Sequence, residues 1–286
     1  MMLPTAPLEG PVGAYGLRLE GIGAARPLLV PADPTWPTLE IRSEVGSPPW
    51  RDSDVVSDYE AKLQLQTGGE IRMERATGLV VFTMQRRLRE WELVHPYLAP
   101  VAAVAGFWFD RESFHAGAFV VDGTAWAVLG VREAGKSTLL ASLALRGIAV
   151  VSDDMLILDG DMPFAAPRAI DLRPSAAHRL GVGEPLGIVG ARERWRLRLG
   201  PVGDTAPLRG WMFPAWGDRV EASGLSPHER IARLSAQRGL RLQARDPTRL
   251  LDLASLPAWE LRRPRDWDDL DASTDLLLDL VRSSSI

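Results

Sequence analysis

Gly130-Val131-Arg132-Glu133-Ala134-Gly135-Lys136-Ser137-Thr138 is the stretch on which the reading of this chain turns. A glycine, four residues, then Gly-Lys-Ser fits the pattern of a phosphate-binding loop. The spacing has a mechanism. Gly130 is expected to let the chain leave a strand in a turn closed to most residues. The loop then curls so that its backbone N–H groups form an anion nest. Gly135 allows close approach of the phosphates, and Lys136 reaches the outer ones as a cation. Ser137 offers its hydroxyl to a magnesium ion, and it opens a helix whose N-terminus favours negative charge.

The flanks supply the context that the pattern needs. Thr124 to Leu129 reads as a buried strand, and Ser137 to Leu145 as a helix stopped by Arg146-Gly147. The chain's lysines are Lys62 and Lys136, and all its other basic side chains except four histidines are arginines. At 286 residues the chain can hold one large domain or two modest ones. Its 46% hydrophobic and 24% charged residues are ordinary for a soluble globular protein. A net charge of −4 argues against a general nucleic-acid binder. The absence of cysteine excludes disulfides, a thiol nucleophile and a zinc–thiolate site, and suits a reducing cytoplasm. No signal peptide is apparent, and the apolar run from Tyr97 to Phe109 is too short to cross a bilayer.

Residues 1 to about 85 read as a small, mostly antiparallel β region. Its strands include Thr38–Arg42, Lys62–Gln66, Glu70–Glu74 and Leu79–Thr83, with Gly68-Gly69 as a turn and Gly46 to Trp50 as a loop. Substrate recognition and oligomer contact are both open roles for it. Residues 86 to 286 form the second domain. It begins with a helix over 86–106. A hairpin follows, of Phe114–Val121 and Thr124–Leu129 joined by Asp122-Gly123, a strong two-residue turn signal. After the loop helix, Ile148–Val151 is a buried strand ending in Ser152-Asp153-Asp154, and Met155–Leu158 continues it to a turn at Asp159-Gly160. Residues 165–215 read as loop-rich and arginine-rich. Helices are expected over Pro227–Gln237, Thr248–Ala254 and Ser273–Arg282, the first capped by Ser226, with a strand at Trp259–Arg262.

Asp153 and Asp154 fall at the strand end where open α/β sheets hold ligands. One carboxylate there can hold magnesium, and the other can take the proton of an attacking hydroxyl. As turn or capping residues they would have no such role. His115, taken alone, also suits a half-buried hairpin histidine bonded to backbone.

Three elements together resemble the HPr kinase/phosphorylase family, phosphate-loop protein-serine kinases related in fold to phosphoenolpyruvate carboxykinases. They are Phe114 to Val121 with His115, Gly130 to Thr138, and Arg146-Gly147 through Val151 to Asp153-Asp154. The resemblance is close over residues 114 to 158 and extends more weakly from Glu90 to about Pro214. It implies an α/β fold with a phosphate-loop kinase core behind the β-rich N-terminal region. It implies ATP as phosphoryl donor, with no preference for the base legible in the loop, and magnesium as cofactor. Lys136 and the loop amides would bind the phosphates, and Ser137 and Asp153 the metal. Asp154 would be the general base, the two aspartates being able to exchange roles. His115 would orient the acidic pair or touch the transferred phosphate. Asp171 and Arg173 sit at the family's acid-x-Arg element, implying a metal contact and a phosphate contact.

The departures also carry information. Arg132-Glu133 stands where typical members have Ser-Gly, so Glu133 is expected to point away from the phosphates. Pro174 to Gly181 replaces the glycine-rich segment used for HPr recognition and phosphorolysis. The pattern looks closer to the shorter HPr-kinase-like proteins of peptide natural-product biosynthesis, among them lasso-peptide kinases that phosphorylate a precursor's C-terminal serine. A peptide or protein with an acceptor serine is the partner this implies. A small-molecule kinase and a non-catalytic nucleotide sensor stay open, and assembly into oligomers is a family trait that nothing here demands. Arg192, Arg194, Arg196 and Arg198 alternate along a strand and would make one face basic, either to bind phosphate or an acidic peptide or as an exposed strand.

Overall fold

The structure is a computed structural model that describes residues 9–50, 52–65, 67–203, 205–240 and 246–284. Residues 1–8 of the N-terminal region, and Gln66, expected at the end of a strand, lie outside them. Alternating inward apolar and outward polar residues build the first strands. These are β1 (Val12–Ala14), β2 (Leu17–Glu20), β3 (Val30–Pro31), β4 (Thr38–Val45), β5 (Val55–Val56), β6 (Glu60–Leu65), β7 (Gly69–Glu74) and β8 (Leu79–Met84). Among the described residues they form one sheet in the order β3-β1-β2-β4-β8-β7-β6-β5. Its pairings are antiparallel except at the centre, where β2–β4 and β4–β8 are parallel.

The helix expected over residues 86–106 is interrupted. α1 (Glu90–Val94) ends at His95, and α2 (Leu98–Trp108) starts afresh after Pro96. Proline has no N–H to donate and pushes the preceding residue out of helical conformation, so the break falls where the chain reads His95-Pro96. α2 is buried on nearly every side, and its Val101, Ala105 and Trp108 share a core with Leu39, Ile41, Ile71 and Phe82 of the sheet. No helix among the described residues is long and apolar enough to cross a membrane.

The second half of the chain is mixed α/β. Its first elements are β9 (Glu112–Phe114), β10 (Ala116–Val121), β11 (Thr124–Leu129), α3 (Lys136–Leu145), β12 (Ala149–Ser152), β13 (Leu156–Asp159) and β14 (Met162–Pro163). Then come β15 (Ala169–Leu172), α4 (Pro174–Leu180), β16 (Glu184–Val189), β17 (Arg192–Arg198), β18 (Leu208–Trp216) and β19 (Glu221–Gly224). The last are α5 (Pro227–Ala236), α6 (Pro247–Ser255), β20 (Ala258–Arg263) and α7 (Leu270–Ser283). Three further sheets run β12-β10-β11-β18-β20-β19, β14-β13-β9 and β15-β17-β16.

The Asp122-Gly123 turn forms as expected. Both residues take positive φ, 49° and 74°, a turn twist that suits two right-twisted strands. The expected strand over Phe114–Val121 is in fact two. Phe114 pairs with Leu156 in one sheet and Ala116 with Leu129 in another, so His115 sits at the junction. The strand expected to continue through Met155 also divides, with Asp153 and Asp154 at its bend between β12 and β13. Both breaks come from one cause: the two chains cross together from the six-stranded sheet to the smaller one.

Residues 165–215 are far less loop-like than expected. They hold the sheet β15-β17-β16, α4 and the long strand β18. Gly210 and Pro214 disguise β18 in the sequence. Gly210 lies where a Cβ would come within 2.3 Å of the Trp126 ring, and Pro214 lies beyond Met212, the last residue paired with β11. α3 buries Leu139, Leu140 and Leu143, each contributing about 1.5–3 kcal/mol. Ser142 Oγ lies 3.0 Å from Thr274 Oγ1 of α7, and Arg146 at the end of α3 bonds Asp271 and Asp275 of that helix.

Gly117 sets how closely β10 and β12 approach behind the acidic pair. A Cβ there would stand 2.2 Å from Leu140 Cδ1 and 2.8 Å from the Ser152 carbonyl oxygen. Gly117→Ala is therefore expected to destabilise the protein by about 1–3 kcal/mol, read as a lower urea midpoint at unchanged slope.

Candidate functional site

The elements above converge on a cleft of about 490 Å³. Its lining includes His115, Arg132, Glu133, Gly135, Lys136, Ser137, Thr138, Asp153, Asp154, Asp171 and Arg173. Most of the residues singled out in the sequence thus meet in one place, from the β9–β10 junction, the loop, α3, the β12–β13 bend and the end of β15. Gly130, Val131 and Ala134 stand outside the lining.

Between β11 and α3 the conformational demand does not fall where the pattern suggests. Gly130 is not left-handed, and a Cβ there would make only ordinary contacts with Ala134 and Pro214. Glu133 (φ 70°) and Gly135 (φ 81°) carry the positive angles instead. Gly135 is the position where a side chain would be strained. Its backbone angle disfavours any side chain, and a Cβ would lie 2.2 Å from an Arg263 guanidinium nitrogen. Lys136 is buried and donates to the carbonyl oxygens of Gly130 (2.6 Å) and Val131 (3.2 Å). Burial pulls its pKa below the ordinary value, against the attraction of Asp153 and Asp154. The first-turn N–H groups of a helix have no intrahelical acceptor, and Lys136, Ser137 and Thr138 bring that end of α3 to the cleft.

Glu133 does not simply turn away. Its carboxylate accepts from Arg173 at 2.6 Å, and its carbonyl accepts from Trp216 Nε1 at 3.2 Å. The extra negative charge of the loop is therefore met by Arg173, a residue forty positions away.

Asp153 is 5% exposed, and its Oδ1 has no hydrogen-bond partner among the described residues. Burial, then the Asp154 charge, push its pKa up to about 7, with the Ser137 hydroxyl and Lys136 pulling the other way. Asp154 is more open to solvent, and its Oδ1 lies 3.7 Å from His115 Nδ1, beyond a direct hydrogen bond. Burial lowers the pKa of His115, which favours its neutral form. The His115 backbone N–H donates to the Gln237 carbonyl at 2.7 Å, so the segment after α5 holds the junction in place.

Asp171 lines the cleft, but Arg196 grips its carboxylate with two bonds of 2.7 and 2.9 Å. Arg196 is 4% exposed, stacks 5.1 Å from the Trp91 ring and donates to the His95 carbonyl at 2.8 Å. His95 Nε2 stands 3.7 Å from the same carboxylate. Burial alone would raise the Asp171 pKa; His95 and Arg196 outweigh it and hold it below the ordinary value. Its immediate neighbours make Asp171 a fixed charge behind the acidic pair.

Several residues here carry no sequence signal. Tyr15, at the tip of the β1–β2 hairpin, is 1% exposed; burial, then Asp154 and Asp153, raise its pKa well above the ordinary value. Its N–H donates to Ala165 at 2.7 Å, so the N-terminal sheet backs the site. On another wall Arg263 donates to the Gly135 carbonyl at 3.2 Å and lies 4.9 Å from the Trp216 ring, beside Arg265 and Trp267. Trp216 and the Arg263–Trp267 segment are separated in the chain by α5 and α6, so no local pattern joins them.

No protein-family model matches the chain, and no curated protein matches it. Among solved structures it is similar to the HPr(Ser) kinase/phosphatase from Coxiella burnetii, at 14% identity and a TM-score of 0.28. That similarity covers 60% of this chain and 98% of the other.

Removing one partner of a buried ion pair strands the other charge. Asp171→Ala is expected to cost about 3–5 kcal/mol, read by chemical denaturation, whereas an exposed pair such as Arg173–Glu133 is worth under about 1 kcal/mol.

Proposed function

We propose that the chain is a phosphotransferase that moves the γ-phosphate of a nucleoside triphosphate, ATP by the family resemblance, to a hydroxyl. The observation that carries this reading is the meeting of Lys136, Ser137, Asp153, Asp154 and His115 in a single cleft at the N-terminus of α3. The loop from Gly130 to Thr138 serves as the phosphate cradle, with the first-turn amides and Lys136 facing the β- and γ-phosphates.

Magnesium fits the donor set. Asp153 offers a buried oxygen with no other partner among the described residues, next to the Ser137 hydroxyl, and hard oxygen donors are what this ion takes. Asp153 and Ser137 would hold it, and it would neutralise phosphate charge. Asp171, gripped by Arg196, supports the acidic pair from behind, and Arg173 stands by to meet a phosphate oxygen once released from Glu133.

In the transfer step the acceptor oxygen forms a bond to the γ-phosphorus. The bond to the β–γ bridging oxygen breaks, and the nucleoside diphosphate leaves with that electron pair. Asp154, the more accessible of the two acids, takes the hydroxyl proton. His115, whose neutral form burial favours, stands 3.7 Å from the Asp154 carboxylate, where it can touch the transferred phosphate. A serine of a peptide, such as a C-terminal serine of a lasso-type precursor, is the acceptor we favour, with the protein acting in the cytoplasm. A small hydroxyl compound is the alternative that the cleft volume also admits.

The test is label transfer from γ-labelled ATP with magnesium to a serine-ended peptide and to small hydroxyl compounds. Asp154→Asn should lower turnover by about 10²–10⁴-fold while nucleotide still binds. Lys136→Ala should weaken nucleotide binding itself, by about tenfold or more. Nucleotide binding in wild type with no transfer, and no response to Asp154→Asn, would mean a nucleotide-sensing module instead.

A further inference from the structure

The arginines of β17 are more than the phosphate loop and the acidic pair require. Side chains two apart on a strand share a face, which puts Arg192, Arg194 and Arg196 in one row. Arg196 runs inward to Asp171 and pins the strand. Arg194 and Arg192 continue the row into the cleft, where Arg132 and Arg173 also stand.

Carboxylates share this lining, Glu133 and Asp266 among them, but the arginines are only partly paired with them. Arg194 lies 3.7 Å from Asp171, whose two oxygens are already bonded to Arg196. Arg173 has an exposed bond to Glu133. Neither the Arg132 nor the Arg192 side chain has an ion pair among the described residues. Burial, then the charges of Arg132, Arg194 and Arg173, depress the Arg192 pKa against the weaker attraction of Glu133, as expected of cations forced together. This happens in a chain whose net charge is −4, so the local surplus is set by the site and does not reflect the composition. An oxyanion is the ligand that relieves it, and the planar guanidinium fork suits carboxylate and phosphate alike. The loop amides and Lys136 already serve a nucleotide's phosphates. Arg192 and Arg194 reach the cleft from a different sheet.

We propose that Arg192 and Arg194 hold an oxyanion carried by the phosphoryl acceptor itself. The acceptor is then a hydroxyl compound with a carboxylate or a phosphate close to that hydroxyl. This rests on the transferase reading above and narrows its substrate class. A chain-terminal serine satisfies it, because its free carboxylate lies beside its hydroxyl, and so does a small hydroxylated phosphate ester.

The full chain, saturated with magnesium and a non-hydrolysable ATP analogue, is titrated calorimetrically with two probe pairs. One is a serine-ended peptide with a free carboxylate against the same peptide as its carboxamide. The other is glycerol 3-phosphate against glycerol. At least one anionic member should bind about tenfold or more tightly than its neutral partner. The pair that discriminates identifies the oxyanion as a chain terminus or a phosphate. Arg192→Ala should abolish most of that preference and Arg192→Lys restore part of it, with analogue affinity changed less than about threefold. Equal binding within both pairs, or a preference indifferent to Arg192→Ala, overturns the inference and leaves the transferase reading intact. Failure of the analogue to bind wild type instead overturns that reading, and this inference with it.

Discussion

Asp153 has to exist inside the fold with a second carboxylate next to it, and much of the second half of the chain is arranged around that requirement. Its desolvation is severe, and Asp154 and Asp171 make its charged form costlier still. The relief comes from Lys136 and Ser137 at the start of α3, which approach from the other strand–helix junction. Placing them requires the hairpin β10–β11 to deliver the loop beside the β12–β13 bend. Gly117 permits the close packing of those strands, and Leu139, Leu140 and Leu143 anchor the helix behind them.

Charge organises the site in layers. Behind the acidic pair, Arg196 holds Asp171 in a buried bidentate pair and ties β15 and β17 to the residues around α1. Buried pairs are costly to desolvate and are weak evidence of net stability, but they hold geometry tightly once formed. At the cleft, Glu133 and Arg173 join the loop to the end of β15 through an exposed contact that yields easily. The difference in burial separates the scaffold from the parts that can exchange partners with a ligand. The hairpin tip at Tyr15 extends the scaffold to the N-terminal sheet, which therefore packs against the back of the site.

Local features were legible without a fold. The Asp122-Gly123 turn, the Arg146-Gly147 stop, the Ser226 cap and the helix after Lys136 each depend on a few adjacent residues, and each stands where the sequence places it. Sequence and structure part where tertiary contacts override a local pattern. The sequence places His115 and Asp153-Asp154 within or at the ends of continuous strands, because apolar runs do not reveal that a strand changes sheets. β18 was hidden by Gly210 and Pro214, whose reasons lie in the Trp126 ring and in the end of the β11 ladder.

By itself the sequence determined the strand–loop–helix unit, the acidic pair and the cationic strand, since spacing and residue chemistry along the chain suffice for these. Tertiary structure alone decided which charges meet. Arg196 neutralises Asp171, Arg173 answers Glu133, and Arg263 closes over Gly135 from 128 positions away. Partners so distant in sequence leave no periodic signal, because their pairing is set by where sheets and helices pack and by the cost of burying a charge without its counterpart.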